Sequence, residues 1–157
     1  MNAAHYIHTL NLLPHPEGGY YRETYRSKAG IEFPESGGKR NYSTAIYFLL
    51  EQGNFSAFHK IKSDELWHFY TGDPLEIIEI DSEGRLKITV LGQDNFQYSV
   101  PAGNWFGSRV KNGGHFSLVG CTVAPGFDFA DFEMAQRTEL TAAFPDHVKI
   151  IQEMTRQ

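Results

Sequence analysis

Cysteine is almost missing from this chain. Cys121 is the only one in 157 residues, so no disulfide can form within a single copy. Runs of Lys or Arg are also missing. With 14 basic and 19 acidic residues and a net charge of −5, nothing resembles the basic patch or stripe that nucleic-acid binding needs. There is no long apolar run either. The longest, Thr44–Leu50, falls far short of the roughly 20 residues that a membrane-spanning helix requires. The first residues show no basic segment followed by an apolar stretch, which predicts no signal peptide. Together with the cysteine usage this predicts a cytoplasmic protein without a membrane partner. No internal repeat and no linker-like stretch divides the sequence, so a single domain over residues 1–157 is expected, long enough to bury a proper core.

Aromatic residues, by contrast, are plentiful: 12 Phe, 8 Tyr and 2 Trp. They sit in short segments separated by turn chemistry such as Asp73-Pro74, Asp81-Ser82-Glu83-Gly84 and Lys111-Asn112-Gly113-Gly114. The pattern predicts strands at Tyr20–Ser27, Tyr42–Leu50, Ser56–Ile61, Glu65–Tyr70, Leu75–Ile80, Leu86–Leu91, Gln97–Val100, Trp105–Val110 and Gly114–Val123. Nine short strands at this spacing indicate an all-β sandwich or barrel. Helical spacing is confined to Asn2–Leu13, before Pro14, and to Glu133–Arg156, interrupted at Pro145. Residues Gly30 to Gly38, rich in Gly, Glu and Ser, read as a mobile insertion.

The most informative stretch runs from Gly53 to Gly72. On a strand, residues an even number apart share a face. His59, Ile61, Ser63, Glu65, Trp67 and Phe69 therefore belong to one side, and a turn near Lys62-Ser63-Asp64 folds His59 back towards Glu65. An imidazole and a carboxylate facing an apolar interior are costly unless paired, liganded or wet. The spacing of Gly53, His59, Glu65 and Gly72 resembles the first motif of the cupin superfamily, G-x5-H-x-H-x3-E-x6-G, with Ile61 standing at the second His. The second motif, G-x5-P-x-G-x2-H-x3-N, is matched by Pro101-Ala102-Gly103, but Asn95, Phe106 and Val110 stand at its Gly, His and Asn. Three further segments, Pro14–Ser27, Ser63–His68 and Val119–Phe129, resemble a small cupin family catalogued as a domain of unknown function. That resemblance implies an all-β double-stranded β-helix, the RmlC-like jelly-roll cupin barrel, with short N- and C-terminal helices. It also implies a homodimer and a pocket with no settled activity. Two of the usual metal ligands are replaced by Ile61 and Phe106, so no metal and no other cofactor is expected.

The expected site is an aromatic-lined lumen that binds a small cyclic metabolite of the sugar, nucleotide or nucleobase class. Candidate ligand-binding residues are His59, Glu65, Trp67, Phe106, Tyr47 and Arg22. If the lumen is catalytic, His59 and Glu65 carry the chemistry: a metal-independent epimerase-like or isomerase-like reaction with His59 as base, Glu65 orienting it, and Tyr47 or Tyr70 as acid. The remaining alternative is a metal-dependent oxygenase or isomerase with non-standard ligands. In Tyr21–Arg26, strict alternation groups Arg22 with Arg26 and Tyr21 with Glu23, so the arginine face either takes an anion or forms a solvated or interface surface. Pro14–Gly19 closes one barrel mouth, with His15 or Glu17 touching ligand, or is a structural turn. Asp128 and Asp131 are carboxylates near the barrel mouth, or Asp131 caps a helix entry. Cys121 reads as inert.

Overall fold

A computed structural model describes residues 1–156. The elements in chain order are α1 (Ala3–Thr9), β1 (Leu13–Pro14), β2 (Tyr20–Arg26), β3 (Gly30–Phe33), β4 (Gly38–Asn41), β5 (Thr44–Glu51), β6 (Phe55–Lys60), β7 (Asp64–Gly72), β8 (Leu75–Ile80), β9 (Leu86–Leu91), β10 (Gln97–Val100), β11 (Trp105–Val110), β12 (Phe116–Ala124), β13 (Glu133–Met134), α2 (Arg137–Ala143) and α3 (Val148–Glu153). Short 3-10 turns lie at Pro34–Ser36, Phe129–Asp131 and Pro145–His147. A six-stranded sheet in the order β1-β2-β5-β12-β7-β10 faces a five-stranded sheet in the order β13-β6-β11-β8-β9, and every pairing is antiparallel. This is a jelly roll.

Three apolar clusters follow from the alternation of side chains along the strands. On β5, Phe48 and Leu50 point between the sheets, while Leu49 and Tyr47 point outward under α1. Asn2 starts α1 by accepting a hydrogen bond from the His5 N–H through its side chain. The helix then packs Ala3, Tyr6, Ile7 and Leu10 over that outer face. On β8, Leu75 and Ile77 enter the inter-sheet core, and Ile78 and Ile80 meet Leu140, Ile151 and Met154 of the C-terminal segment on the opposite face. A strand covered on both faces explains the nearly continuous apolar run Leu75–Ile80.

Three expectations need correction. Gly30 to Gly38, expected as an irregular insertion, belong to a hairpin in which β3 and β4 pair, and Arg40 joins it to Asp131 through two short bonds, Nε–Oδ2 at 2.8 Å and Nη2–Oδ1 at 2.9 Å. Asp131 is thus a buried ion-pair partner rather than a cap, and Asp128 is the residue that caps the 3-10 turn, accepting from the Ala130 N–H. The first helix also ends at Thr9, well before Pro14, which lies in β1.

Candidate functional site

The inward row of each central strand is continuous, but the barrel is filled only along part of it. On β5, Phe48 and Leu50 are core, whereas Thr44 and Ile46 line a cavity. On β7, Trp67 is core and Glu65 lines the cavity. On β12, Val119 is core, and Cys121 and Val123 stand beside the cavity. The cavity has a volume of about 410 Å³, within the range of small-molecule sites. Segment 126–132 covers it: the Gly126 N–H donates to the Asn41 carbonyl (2.8 Å) and the Phe127 N–H to Thr44 Oγ1 (2.9 Å). Phe127, Phe129 and Phe132 form its aromatic lip, with ring centroids 4.9–6.3 Å apart.

His59 stands on β6, only 3% exposed. Its ring lies 4.2 Å from Phe106 and 5.1 Å from Phe132, centroid to centroid. Nδ1 is 2.7 Å from the Ala57 carbonyl, which can only accept, so Nδ1 carries a proton. Nε2 is 3.0 Å from Glu17 Oε2. A nitrogen and an oxygen at that distance share a proton. Burial raises the Glu17 carboxyl to about 7 and lowers the His59 imidazole to about 4. Burial therefore favours the uncharged pair over the ion pair, with the Glu17 O–H donating to Nε2.

Glu17 reaches this position through the loop Pro14–Gly19. The His15 N–H donates to the Gly19 carbonyl (2.9 Å), the Gly18 N–H to the His15 carbonyl (3.0 Å), and the Glu17 N–H to His15 Nδ1 (3.1 Å). The loop is tied to β6 by the Ala57 N–H on the Glu17 carbonyl (3.0 Å), and the Arg156 guanidinium donates to the same carbonyl (2.8 Å). Gly18 has φ +112°, and a Cβ there would overlap the Phe55 carbonyl oxygen, so only glycine lets the loop lie this close to the sheet. Burial lowers the His15 pKa, keeping this second imidazole neutral as well.

Glu65 is half-buried and lines the cavity. Burial first, and then the neighbouring Glu17, raise its carboxyl to about 8. Its polar neighbour is the Cys121 thiol, which burial pushes well above its ordinary value. At the mouth, Arg26 donates to Glu23 (Nη2–Oε1 2.6 Å), to Asn41 Oδ1 (2.9 Å) and to the Phe127 carbonyl (3.1 Å).

Of the residues expected from the sequence, His59 and Glu65 face the cavity. The carboxyl that meets the imidazole, however, is Glu17, a residue of a loop the sequence leaves open between lip and turn. Trp67 and Phe106 are 2% and 1% exposed and lie behind the cavity wall in the packed half of the barrel. Tyr47 and Arg22 are not brought to the lumen. Tyr47 is on the outer face, 6.1 Å from the Tyr70 ring, and Arg22 donates to the Leu10 carbonyl at the end of α1. The arginine at the mouth is Arg26 because β2 shifts register against β5 between Glu23 and Tyr25. That bulge moves Arg26 to the face of Tyr21 and Glu23.

A closed two-sheet jelly roll with an imidazole and a carboxyl turned into its lumen has the architecture of a cupin. Residues 4–135 match the family described as Cupin superfamily (DUF985), and the chain belongs to that family. A hypothetical protein from Leishmania major has a solved structure that superposes with a TM-score of 0.94 at 36% identity, covering 100% of both chains. A protein from Shewanella oneidensis gives 0.91 at 41% identity, over 99% of this chain and 98% of its own. An uncharacterized protein of Saccharomyces cerevisiae is 32% identical over 143 residues, covering 80% of this chain and 71% of that protein. Oxalate decarboxylase from Bacillus subtilis shares the fold, with a TM-score of 0.60 at 17% identity over 90% of this chain and 36% of that one. The metal site usual in cupins does not fit these residues. Ile61 and Phe106 supply no donor, and among the described residues no cluster of three or more His, Cys, Asp or Glu is arranged to hold an ion.

Proposed function

We propose that the lumen binds a small cyclic metabolite carrying a polar edge. The observation that supports this reading is the half-empty barrel itself. A cavity of about 410 Å³ has an apolar and aromatic wall with a few convergent polar groups, Glu17, His59 and Glu65. Such a composition orients a ring by its edge and buries its faces. Among the candidate classes, sugars and nucleobases fit better than nucleotides, because Arg26 at the mouth is already engaged by Glu23. A cytoplasmic location remains part of this proposal, resting on the sparse cysteine content; among the described residues no helix is long and apolar enough to cross a membrane.

The test is a thermal-shift screen of monosaccharides, nucleosides and nucleobases, repeated with Glu17→Gln and Glu65→Gln. A shift lost in either variant supports the lumen; one that survives in both places the ligand elsewhere and overturns the reading. One observation favours a second reading, proton transfer without a metal. The Glu17–His59 pair shares a single proton at 3.0 Å, and the Glu17 value of about 7 suits an acid–base group working near neutral pH. Incubating a confirmed ligand in D2O with the protein and following carbon-bound deuterium by NMR tests it. Exchange absent in Glu17→Gln supports turnover; no exchange with the unaltered protein leaves binding alone.

A further inference from the structure

The walls of the cavity carry more carboxyl groups than cations to meet them. Four carboxyl-bearing residues, Glu17, Glu23, Glu65 and Asp128, line it against one guanidinium, Arg26, the only Arg or Lys on the wall among the described residues. Arg26 is used up: it clasps Glu23 through Nε (3.1 and 3.2 Å) and Nη2 (2.6 Å), while Nη1 is spent on Asn41 and the Phe127 carbonyl. Glu17 is committed to His59. Glu65 lines the open space with the Cys121 thiol and the Glu17 carboxyl as polar neighbours and no cation beside it. No free cation is offered to a phosphate or carboxylate. Phe127, Phe129 and Phe132 line the same space, and aromatic rings attract positive charge through their quadrupoles.

We propose that the ligand's polar edge is a cation: a protonated amine on a small ring, seated between the Glu65 carboxyl and the aromatic lip. This rests on the lumen being a binding site and adds the charge class of its ligand. Binding couples to a proton. An ammonium beside Glu65 favours the carboxylate, so the proton that enclosure keeps on the empty site leaves to solvent when the amine enters.

Three probes of one shape decide the matter: benzylamine, benzyl alcohol and benzoate, titrated calorimetrically at pH 7 in two buffers of different ionisation enthalpy. The cation is expected to bind at least about ten-fold more tightly than the alcohol, and benzoate more weakly than either. Benzylamine binding releases close to one proton, seen as a buffer-dependent enthalpy. Glu65→Gln, neutral and of the same shape, loses both the cation preference and the proton release. Asp128→Asn keeps the capping oxygen and loses only a few-fold at the mouth. Alcohol binding that Glu65→Gln weakens, with no preference for the amine, overturns the charge assignment while leaving the lumen as a site. Failure of all three probes to bind at millimolar concentration overturns the assignment together with the lumen reading.

Discussion

A carboxyl enclosed by protein keeps its proton longer than one in water, and folding then depends on pH. Glu65 is the clearest case: its folded value of about 8 lies above the ordinary 4.5. The folded chain therefore holds a proton that the unfolded chain releases. Its contribution to stability is fully present below pH 4.5 and is lost as pH rises towards 8, at up to about 1.4 kcal/mol per pH unit. Glu17 acts in the same direction between 4.5 and about 7. His59 acts in the opposite direction: its folded value of about 4 lies below 6.5, so its contribution is present above pH 6.5 and is lost on acidification towards 4. Glu65→Gln is expected to flatten the alkaline limb alone. Unfolding free energies in urea from pH 5 to 9 should show the variant gaining on the parent by about 2–4 kcal/mol at the alkaline end, with the acid limb unchanged. Parallel curves would show that Glu65 is ionised in the folded protein.

The imidazole and its partner should respond unequally to substitution. His59→Ala removes a ring packed between Phe106 and Phe132 and leaves Glu17 without an acceptor, which is expected to cost about 2–4 kcal/mol. Glu17→Gln leaves an amide to donate to Nε2 and is expected to cost under about 1 kcal/mol. Urea unfolding at pH 6 compares the two. Similar losses would mean that the pair does not share the proton described. At this scale the sequence is half legible. His59 and Glu65 come from one turn and obey strand periodicity, so their spacing announces them. Glu17 arrives from a loop 42 residues away in sequence, and no periodicity links it to the imidazole it meets. The only local sign is a carboxyl held between prolines and paired glycines.

Elements tell the same story in another form. The nine central strands were legible because each is short, alternating and bounded by turn residues, and the observed bounds fall within two residues of the expected ones. The β3–β4 hairpin was not. Its composition carries no alternation, and it is held by strand pairing and by the Arg40–Asp131 pair, a contact 91 residues apart in sequence. The β2 bulge was equally hidden, since one extra residue reverses the face of everything after it, and Arg26 took the place expected of Arg22. The loop that delivers Glu17 offers an element-scale test. Gly18→Ala places a side chain at φ +112° against the Phe55 carbonyl. We expect a loss of about 2–4 kcal/mol and a fall in ligand affinity at least as large as that of Glu17→Gln, although no group that touches the cavity is altered. A variant that melts and binds as the parent does would show that the loop tolerates withdrawal from β6.

For the whole molecule, β1 covers β2 only at Tyr20 and Tyr21, and the uncovered remainder of β2 together with the exposed Tyr25 and Tyr42 motivates the proposal of a homodimer, since uncovered edges invite pairing. Sedimentation equilibrium at micromolar concentration should return twice the 17.8 kDa of the chain; a monomer would end that proposal. The other question at this scale is what replaced the metal of the fold. With Nδ1 turned to the Ala57 carbonyl, Nε2 is the His59 atom left to coordinate an ion, and it faces Glu17 at 3.0 Å. Ile61 lines the cavity, Phe106 packs tilted against His59, and Glu65 still points inward. The frame of a four-ligand site is thus present with two donors missing and a third occupied. Purified protein is expected to carry well under one zinc, iron or manganese per chain by elemental analysis, because two remaining ligands fall short of the three or more such sites use. The triple variant Ile61→His, Phe106→His, Glu17→Ala restores the donors and frees Nε2, and should take up close to one equivalent of zinc. Stoichiometric metal in the unaltered protein, lost on His59→Ala, would show that an ion displaces Glu17. Failure of the triple variant to bind, while still folded, would show that the strands have moved from the geometry a metal needs.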